Sequence, residues 1–325
     1  MVHKKVEIIV TAVDTSRRAT YNAVSKGQQF MGSNMRIIYD VEEMTETARG
    51  WLAAGSVGFV PTVGHLHTGH VRLVQSSLLT SELSVVSILV NPVQFGFDED
   101  QAHYPYSLEG DLQLLDQEQV DVVFIPRPEE FYPADFSFYV TPSGPLAERF
   151  EGAARPRYAR STATAMTKLF QLVRPDVVFL GQKNAQQVAL IRKLVRDLNI
   201  DVSLHVLPTV RERDGLAISA RNHLLSPSER QAVPILYRAL LAGKALIEKG
   251  ERRRAFIEKA MTSMIATEPL VKLDYIAICN PDTFELMGRK MPPNLPDLLL
   301  AVAAHVGATR QVDNILWKSD GYWLT

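Results

Sequence analysis

Short apolar runs alternate with helical repeats over the first two thirds of this 325-residue chain. The runs are rich in β-branched residues and bounded by Pro, Gly or Asn, which indicates short buried strands. They span residues 57–60, 85–90, 120–125, 177–180 and 202–207, and the helical repeats between them span 70–79, 108–118, 163–173 and 186–198. This alternation predicts an α/β fold, a Rossmann-like doubly wound parallel sheet covered by helices on both faces.

The pattern changes after Pro208. Ser226-Pro-Ser-Glu229 is a capping box with Pro at the first helical position, and it predicts a long helix to about Lys249 with a kink at Pro234. A second helix over 252–266 and strands over 273–279, 298–306 and 311–317 complete the chain. We therefore predict a Rossmann-like domain over 35–209 and a smaller α+β lid domain over 210–325.

Residues 1–34 form a polar N-terminal extension in this scheme. Glu7 and Asp14 interrupt the pattern of a transit peptide, which would be poor in acids. An extra strand, a disordered tail and an artificial extension are at least as consistent with the residues. The sequence leaves these alternatives open.

Composition excludes several classes of protein. The formal net charge of -1 argues against a protein that coats nucleic acid, which would carry a basic excess. No apolar stretch approaches the roughly 18 residues that span a bilayer. The single cysteine, Cys279, cannot form an internal disulfide, so a reducing, cytoplasmic location fits best.

The most informative segment runs from Gly58 to His70. An apolar strand leads through a turn broken by Pro and Gly into His67-Thr-Gly-His70, which opens an amphipathic helix. Two imidazoles at i and i+3 share one helical face, and a helix N-terminus favours anions such as phosphate. Gly69 lets a ligand approach the backbone closely. This predicts a nucleotide whose phosphates rest on the helix end. A metal cluster of His65, His67 and His70, or a purely structural role, are the alternatives, and a zinc cluster would need further ligands that the sequence does not present.

Polar motifs also follow two other predicted strands. Asn91-Pro-Val-Gln94 follows the second, and Gly181-Gln-Lys-Asn184 follows the fourth. Ligands bind beyond the carboxyl ends of such strands, so these motifs and the His segment would form one site. Lys183 can place a positive charge on phosphate oxygens, although a solvated loop lysine is the alternative.

Three more side chains complete this predicted site. Gln94 and Gln187 suit the hydroxyl and carboxylate of a substrate, although either alone could be a surface glutamine. Arg221, in Ser219-Ala-Arg-Asn222, would close over a triphosphate from the second domain, and its alternative is an interdomain salt bridge.

Taken in order, these motifs resemble the pantoate–β-alanine ligases (pantothenate synthetases), a family of the His-x-Gly-His nucleotidyltransferase superfamily. The resemblance extends from about Met35 to Ile315. It comprises Pro61-Thr62-x-Gly64-x-Leu66-His67-x-Gly69-His70, Asn91-Pro92-x-Gln94-Phe95, Tyr104-Pro105, Thr167-Lys-Leu-Phe170, Gly181-x-Lys183-x-x-Gln186-Gln187, Pro208-Thr-Val-Arg-Glu212, Asp214-Gly-Leu-Ala217, Ser219-x-Arg221-Asn222 and Gly307-x-Thr-Arg310-x-x-Asp313-Asn314. Gln182, where bacterial members usually have Glu, is similar to the fungal type.

The resemblance implies an ATP-dependent ligation in two steps. The carboxylate of pantoate would attack the α-phosphate of ATP to give pantoyl adenylate and pyrophosphate, and β-alanine would then displace AMP to give pantothenate. It further implies Mg²⁺ that bridges the ATP phosphates, and a homodimer.

The resemblance also assigns roles to residues. His67, His70 and Lys183 would be catalytic, with His70 the family's proton donor. Gln94, Gln187 and Asn91 would bind pantoate, Gln94 would also bind β-alanine, and Asp111 would be a weak Mg²⁺ ligand. The ATP-binding residues would be Val63, Gly64, His65, Leu66, His67, Thr68, Gly69, His70, Gly181, Gln182, Lys183, Asn184, Val210, Ile218, Ser219, Ala220 and Arg221.

A second hypothesis comes from departures from the family pattern. Asn184 stands where Asp is usual, Gly110 replaces an acid linked to Mg²⁺, Ala220 replaces a Ser, and His65 replaces a small Ala in the nucleotide loop, where its bulk could crowd the ligand. The chain could then be a catalytically weakened relative that binds nucleotide or pantoate as a regulatory or interaction module. Another nucleotidyltransferase of the superfamily is disfavoured, because 91–95 and 186–187 match the pantoate-specific pattern.

Overall fold

Seven strands form the first sheet of the computed structural model, which describes residues 28–29 (backbone alone), 34–51, 55–89 and 107–325. The strands are β1 (Gln28–Gln29), β2 (Arg36–Ile38), β3 (Val57–Thr62), β4 (Leu83–Ile88), β5 (Val122–Phe124), β6 (Val177–Gly181) and β7 (Ser203–Leu207). Their spatial order is β1-β2-β5-β4-β3-β6-β7. All neighbours pair in parallel except β1 and β2, which are antiparallel. Within the extension predicted over 1–34, the described residues 28–29 thus form an extra edge strand.

Helices cover both faces of this sheet. They are α1 (Val41–Gly50), α2 (Thr68–Thr80), α3 (Leu108–Gln117), the short α4 (Pro128–Phe131), α5 (Pro145–Glu148) and α6 (Glu151–Ala154), and then α7 (Tyr158–Val173) and α8 (Ala185–Asp197). Phe59 packs into a buried cluster with residues of α1, α7 and α8, whereas its neighbour Val60 packs with residues of α2 and α3. Alternate side chains of β3 therefore fill two separate cores, as a doubly wound sheet requires.

A four-stranded antiparallel sheet follows, in the order β11-β10-β9-β8. The elements are α9 (Pro227–Ala232), α10 (Ile235–Glu248), α11 (Arg254–Ile265), β8 (Val271–Cys279), β9 (Leu298–Val306), β10 (Thr309–Lys318) and β11 (Tyr322–Leu324). Residues of α10 and α11 share a buried cluster with β9. The predicted fold class, a Rossmann-like domain followed by a smaller α+β unit, is confirmed.

Two details of the sequence prediction need correction. The long helix after the capping box is broken rather than kinked at Pro234, because proline has no N–H to continue the helix and α10 begins directly after it. The capping box itself is confirmed: Ser226 Oγ accepts the N–H of Glu229, whose Oε2 accepts the N–H of Ser226. The sequence pattern also did not predict β2, α1 and β11, which are too short or too polar for a clear period.

Polar side chains of α6 and of the turn after β6 contact the second sheet. Glu151 accepts hydrogen bonds from both Arg310 (2.7 and 3.0 Å) and Tyr275 (3.1 Å), and it also binds Arg155. Gln182 Nε2 donates to Asn314 Oδ1 at 3.1 Å. We call these contacts the junction. Every helix of the described residues is too short or too polar to span a bilayer.

Candidate active site

A cavity of about 250 Å³ opens at the carboxyl edge of the first sheet. The chain runs from β3 through β4 to β5 on one side and from β6 to β7 on the other, so the strand order reverses between β3 and β6. Ligands of doubly wound sheets bind at such a reversal. The ends of β3 and β6 both line the cavity, through Pro61, Thr62, Leu180 and Gly181.

His67 and His70 lie at the start of α2 and cap it with their own side chains. His67 Nδ1 accepts the N–H of Gly69 at 3.1 Å, and His70 Nδ1 accepts the N–H of His67 at 3.3 Å. The rings stack with centroids 4.1 Å apart. Since an accepting nitrogen carries no proton, each neutral ring has its proton on Nε2, which is the donor it can offer a ligand.

Both imidazoles are neutral at pH 7. Burial, followed by the charge of Lys183, lowers the pKa of His67 from 6.5 to about 4. Burial, followed by the charge of His67, lowers the pKa of His70 to about 3. A bound polyphosphate would raise both pKa values, because a nearby negative charge favours the imidazolium.

Gly69 is required for this cap. A Cβ atom on Gly69 would lie 2.9 Å from Cε1 and 3.0 Å from Nδ1 of the His67 ring, closer than ordinary contact. The His-x-Gly-His spacing therefore has a geometric reason in addition to the close approach of a ligand.

Lys183 and Arg221 face the same cavity from different parts of the chain. Lys183 lies in a short 3₁₀ turn (Gln182–Asn184) after β6. Arg221 lies in another 3₁₀ turn (Ala220–Leu224). Burial, followed by the charge of Arg221, lowers the pKa of Lys183 from 10.5 to about 8. Two cations this close favour a ligand with several negative charges.

Within the part of the chain that the structure describes, cations line this cavity and carboxylates do not. Among the described residues that line it are Arg72, Arg155, Lys183 and Arg221, and none is Asp or Glu. Arg155 already binds Glu151 at 2.5 Å. The other three make no ion pair with a described carboxylate, so their charges are available to a polyanion.

Most of the predicted ATP-binding residues line the cavity. They are Val63, His67, Gly69, His70, Gly181, Lys183, Asn184, Val210, Ile218, Ser219, Ala220 and Arg221. Gln187, predicted to bind pantoate, lines it too. Gln94 and Asn91 lie outside the described residues.

Five of the predicted ATP-binding residues do not line the cavity: Gly64, His65, Leu66, Thr68 and Gln182. Gln182 is buried and directed to Asn314, because successive residues of the 3₁₀ turn point to different sides. The ring of His65 packs edge-to-face on His223, with centroids 4.8 Å apart. The expectation that His65 crowds the ligand is therefore not supported.

Asp111 holds the nucleotide loop rather than facing the cavity. Its carboxylate is buried at the start of α3 and accepts the N–H groups of His65 (2.7 Å) and Leu66 (2.6 Å). Burial raises the pKa of Asp111. The two backbone hydrogen bonds act to lower it but are outweighed by burial. No cluster of three or more metal-binding side chains occurs among the described residues. The contacts favour a positioning role over the predicted Mg²⁺ ligand.

Sequence reasoning missed several residues of the cavity. Arg72 is exposed on α2, two positions after His70. In the sequence it cannot be told from an ordinary arginine on a helix surface, but it lines the cavity. Arg155, Tyr158 and Thr162 come from the first turns of α7 and the segment before it, and Thr209 comes from the loop after β7. A signal for Arg72 was available, since it continues the face that begins at Gly69 (i, i+3).

A profile of the family "Pantoate-beta-alanine ligase" matches residues 36–316. The chain belongs to this family.

Relatives and solved structures agree. The chain is similar to the pantothenate synthetase of Carboxydothermus hydrogenoformans, at 46% identity over 81% of this chain and 92% of the relative. It is 43% identical to the pantothenate synthetase of Caldicellulosiruptor bescii, over 87% of this chain and 99% of the relative. The structure of the Thermus thermophilus enzyme matches with a TM-score of 0.80 and 39% identity over 86% and 98% of the chains. That of the Francisella tularensis ligase, complexed with "Beta-gamma ATP and Beta-alanine", matches with a TM-score of 0.71 and 28% identity over 89% and 99%.

Proposed function

We propose that this protein ligates pantoate and β-alanine to pantothenate with ATP, through a pantoyl-adenylate intermediate. The observation that carries the proposal is the cavity at the strand reversal, lined by His67, His70 and three cations (Arg72, Lys183 and Arg221) that pair with no described carboxylate, and by no Asp or Glu of the described chain. Such a wall suits the triphosphate of ATP. Family membership supports pantoate and β-alanine as the acid and amine substrates, and the Francisella tularensis ligase was solved with β-alanine.

The first step transfers an adenylyl group. A carboxylate oxygen of pantoate attacks the α-phosphorus, the bond to the β-phosphate oxygen breaks, and pyrophosphate leaves with the negative charge. The protein needs to position the reactants and stabilise charge on the phosphates. His67 and His70 donate from Nε2 to phosphate oxygens at the helix end, and Lys183 and Arg221 neutralise the triphosphate.

The second step forms the amide. The amine of β-alanine attacks the acyl carbon of pantoyl adenylate, the bond to the phosphate oxygen breaks, AMP leaves, and the amine loses a proton. Gln187, which lines the cavity, binds pantoate through its amide. The same role for Gln94 and Asn91, and that of Gln94 toward β-alanine, rest on the family motif.

Mg²⁺ enters with ATP in this proposal. The described residues lining the cavity include no carboxylate, and both oxygens of Asp111 accept backbone hydrogen bonds. Mg²⁺ is commonly held by substrate phosphates and water with few protein ligands. When bound it would neutralise phosphate charge, and the histidines and lysine contribute independently of it.

A homodimer is part of the proposal. The segment 134–143, before α5, runs without regular secondary structure, and Phe138 there is 87% exposed. An exposed aromatic side chain on such a segment suits contact with a second copy. We expect Phe138→Asp to shift the protein from dimer to monomer in light scattering, whereas Leu198→Asp, at another exposed apolar position, leaves the mass unchanged. An unchanged mass for Phe138→Asp excludes this surface.

Three finer expectations are also proposals. The buried, unpaired Cys279 supports a cytoplasmic location. The position of Arg221 in the second unit supports a lid role for residues 210–325. The fungal subtype rests on Gln182, whereas the relatives compared above are bacterial.

One assay tests the function. Purified protein is mixed with ATP, Mg²⁺, pantoate and β-alanine, and AMP, pyrophosphate and pantothenate are measured. We expect pyrophosphate release that depends on pantoate, and amide formation that depends on β-alanine. ATP binding without any release would contradict the ligase and favour the weakened relative, for which the relatives compared give no support.

A further inference from the structure

The nucleotide loop between β3 and α2 is held in a demanding conformation. Gly64 and His65 both have positive φ, +85° and +50°. Histidine tolerates the left-handed region better than most residues, and branched or bulky residues do not. Asp111 holds this conformation by accepting the N–H groups of His65 and Leu66. In this conformation the His65 ring contacts His223 and does not line the cavity.

That ring meets the turn that carries Arg221. His65 and His223 pack edge-to-face, with an interplanar angle of 74°. His223 lies in the 3₁₀ turn of residues 220–224, two positions after Arg221. Within this turn Asn222 donates to the carbonyl of Ala217 (3.1 Å) and accepts from Gln311 of β10 (3.4 Å). The turn is therefore anchored to the second sheet on one side and touches the nucleotide loop on the other.

The cavity is bounded by contacts on two sides as a result. On the Lys183 side, Asn314 of β10 donates to the carbonyls of Gln182 (3.1 Å) and Lys183 (2.9 Å). On the loop side, His65 contacts His223. A ligand lying between Lys183 and Arg221 depends on both sides for its fit.

We propose that the His65–His223 contact is a latch that holds the Arg221 turn against the nucleotide loop, which makes both histidines positioning residues for the ATP phosphates. The inference rests on the proposed function for its ligand. It assigns a use to His65, which otherwise stands as an unexplained departure from the family pattern.

Electrostatics agree with this placement. The charges of His65 and His223 both act to lower the pKa of His67, after the larger effects of burial and Lys183. Both rings therefore lie near enough for the catalytic imidazole to respond to them. A latch at this distance can set the geometry of His67 and Arg221 together.

Two single variants and their combination test the latch. His65→Asn removes the ring but keeps a residue that tolerates positive φ, and His223→Ala removes the other ring. An aromatic pair is worth enough to raise the KM for ATP about 2- to 10-fold. We expect each single variant to show this rise with kcat within about twofold of wild type. The double variant should show no further rise, because the contact is already lost.

Three further measurements complete the experiment. His223→Phe keeps an edge-to-face ring and should restore the KM for ATP. His205→Ala is the matched control, since His205 also packs edge-to-face on an aromatic ring, that of Phe179. Phe179 lines the cavity, but the exposed His205 on β7 does not, and it makes no contact with the Arg221 turn. Hydrogen exchange of residues 219–224, measured without substrates, should accelerate in the latch variants and remain unchanged in His205→Ala.

The outcomes separate the latch from the function. Additive effects in the double variant, or unchanged exchange in residues 219–224, would overturn the latch even in a fully active ligase. Faster exchange in the latch variants of a protein without ligase activity would support the latch while the proposed function fails.

Discussion

Cations are paired with carboxylates at the junction but not on the cavity wall, by which we mean the residues that line the candidate active site. At the junction, Glu151 is buried and binds two arginines, Arg155 and Arg310, so each positive charge has a nearby carboxylate. On the cavity wall, Lys183 and Arg221 lie close together with no ion pair to a described carboxylate. The cations of the junction are neutralised by the protein itself, whereas Lys183 and Arg221 on the wall are left for an anionic ligand to neutralise. Removing a junction charge should cost stability, and removing a wall charge should cost activity.

The largest effect is expected at the junction. Glu151→Ala would remove the buried carboxylate that binds two partly buried arginines, of which Arg310 keeps only its contact with the more exposed Asp274, and should lower the free energy of unfolding by about 3 kcal/mol. Burial acts to raise the pKa of Glu151, but the two arginines outweigh it and lower this pKa from 4.5 to about 2. The stabilisation is therefore present above pH 4.5 and is lost as pH falls toward 2. Urea unfolding at pH 7 and at pH 3 measures both effects.

A surface ion pair provides the control. Lys193 and Asp197 have the same i,i+4 spacing as Glu151 and Arg155 but are exposed. Asp197→Ala should therefore change stability by less than about 0.5 kcal/mol. Equal losses in the two variants would refute the contrast between buried and exposed pairs.

On the wall, Lys183→Ala should lower turnover at least about a hundredfold, because charge on the departing pyrophosphate is no longer stabilised. The same loss is expected for His70→Ala. The thermal midpoint and circular dichroism should stay near wild type, and Lys193→Ala serves as the control with full turnover. Near-normal turnover of either wall variant would contradict the catalytic roles.

Gly69→Ala tests geometry rather than charge. The added Cβ would displace the His67 ring from its cap on the Gly69 N–H, and a displaced catalytic group typically costs on the order of tenfold or more in turnover. Gly50→Ala, where the added Cβ meets open space, is the matched control. Equal activity of the two variants would show that the His67 cap has no catalytic consequence.

Arg72→Ala should have a smaller effect on the wall, because Arg72 is exposed and solvent screens its charge. We expect the KM for ATP to rise about fivefold at low salt and less at high salt, with kcat nearly unchanged. Arg49→Ala, on the exposed end of α1, should leave the KM unchanged at both salt concentrations. An unchanged KM for ATP in Arg72→Ala would show that Arg72 does not contact the ATP phosphates.

The sequence predicted the wall better than it predicted the contacts behind it. His67, His70 and Lys183 lie in short motifs at strand ends, where the order of strands and helices alone brings them to one edge. Gln182 and His65 lie in the same motifs, yet their side chains turn to Asn314 and His223, which are distant in the chain. The direction of a side chain in a 3₁₀ turn or a positive-φ loop depends on long-range packing, which no local pattern records.

The pH dependence of activity shows whether the two cations of the cavity wall, Lys183 and Arg221, act on one another. Burial and the neighbouring Arg221 lower the pKa of Lys183 to about 8, so its charge is present below pH 8 and lost as pH rises through it. We expect kcat/KM for ATP to fall above about pH 8. Arg221→Gln should move this fall to higher pH, because removing the neighbouring positive charge raises the pKa of Lys183. The variant will also bind ATP less well, but the position of the fall is independent of the maximal rate. A fall that stays in place would show that Arg221 does not act on Lys183, and the wall would then be two separate charges rather than one polyanion site.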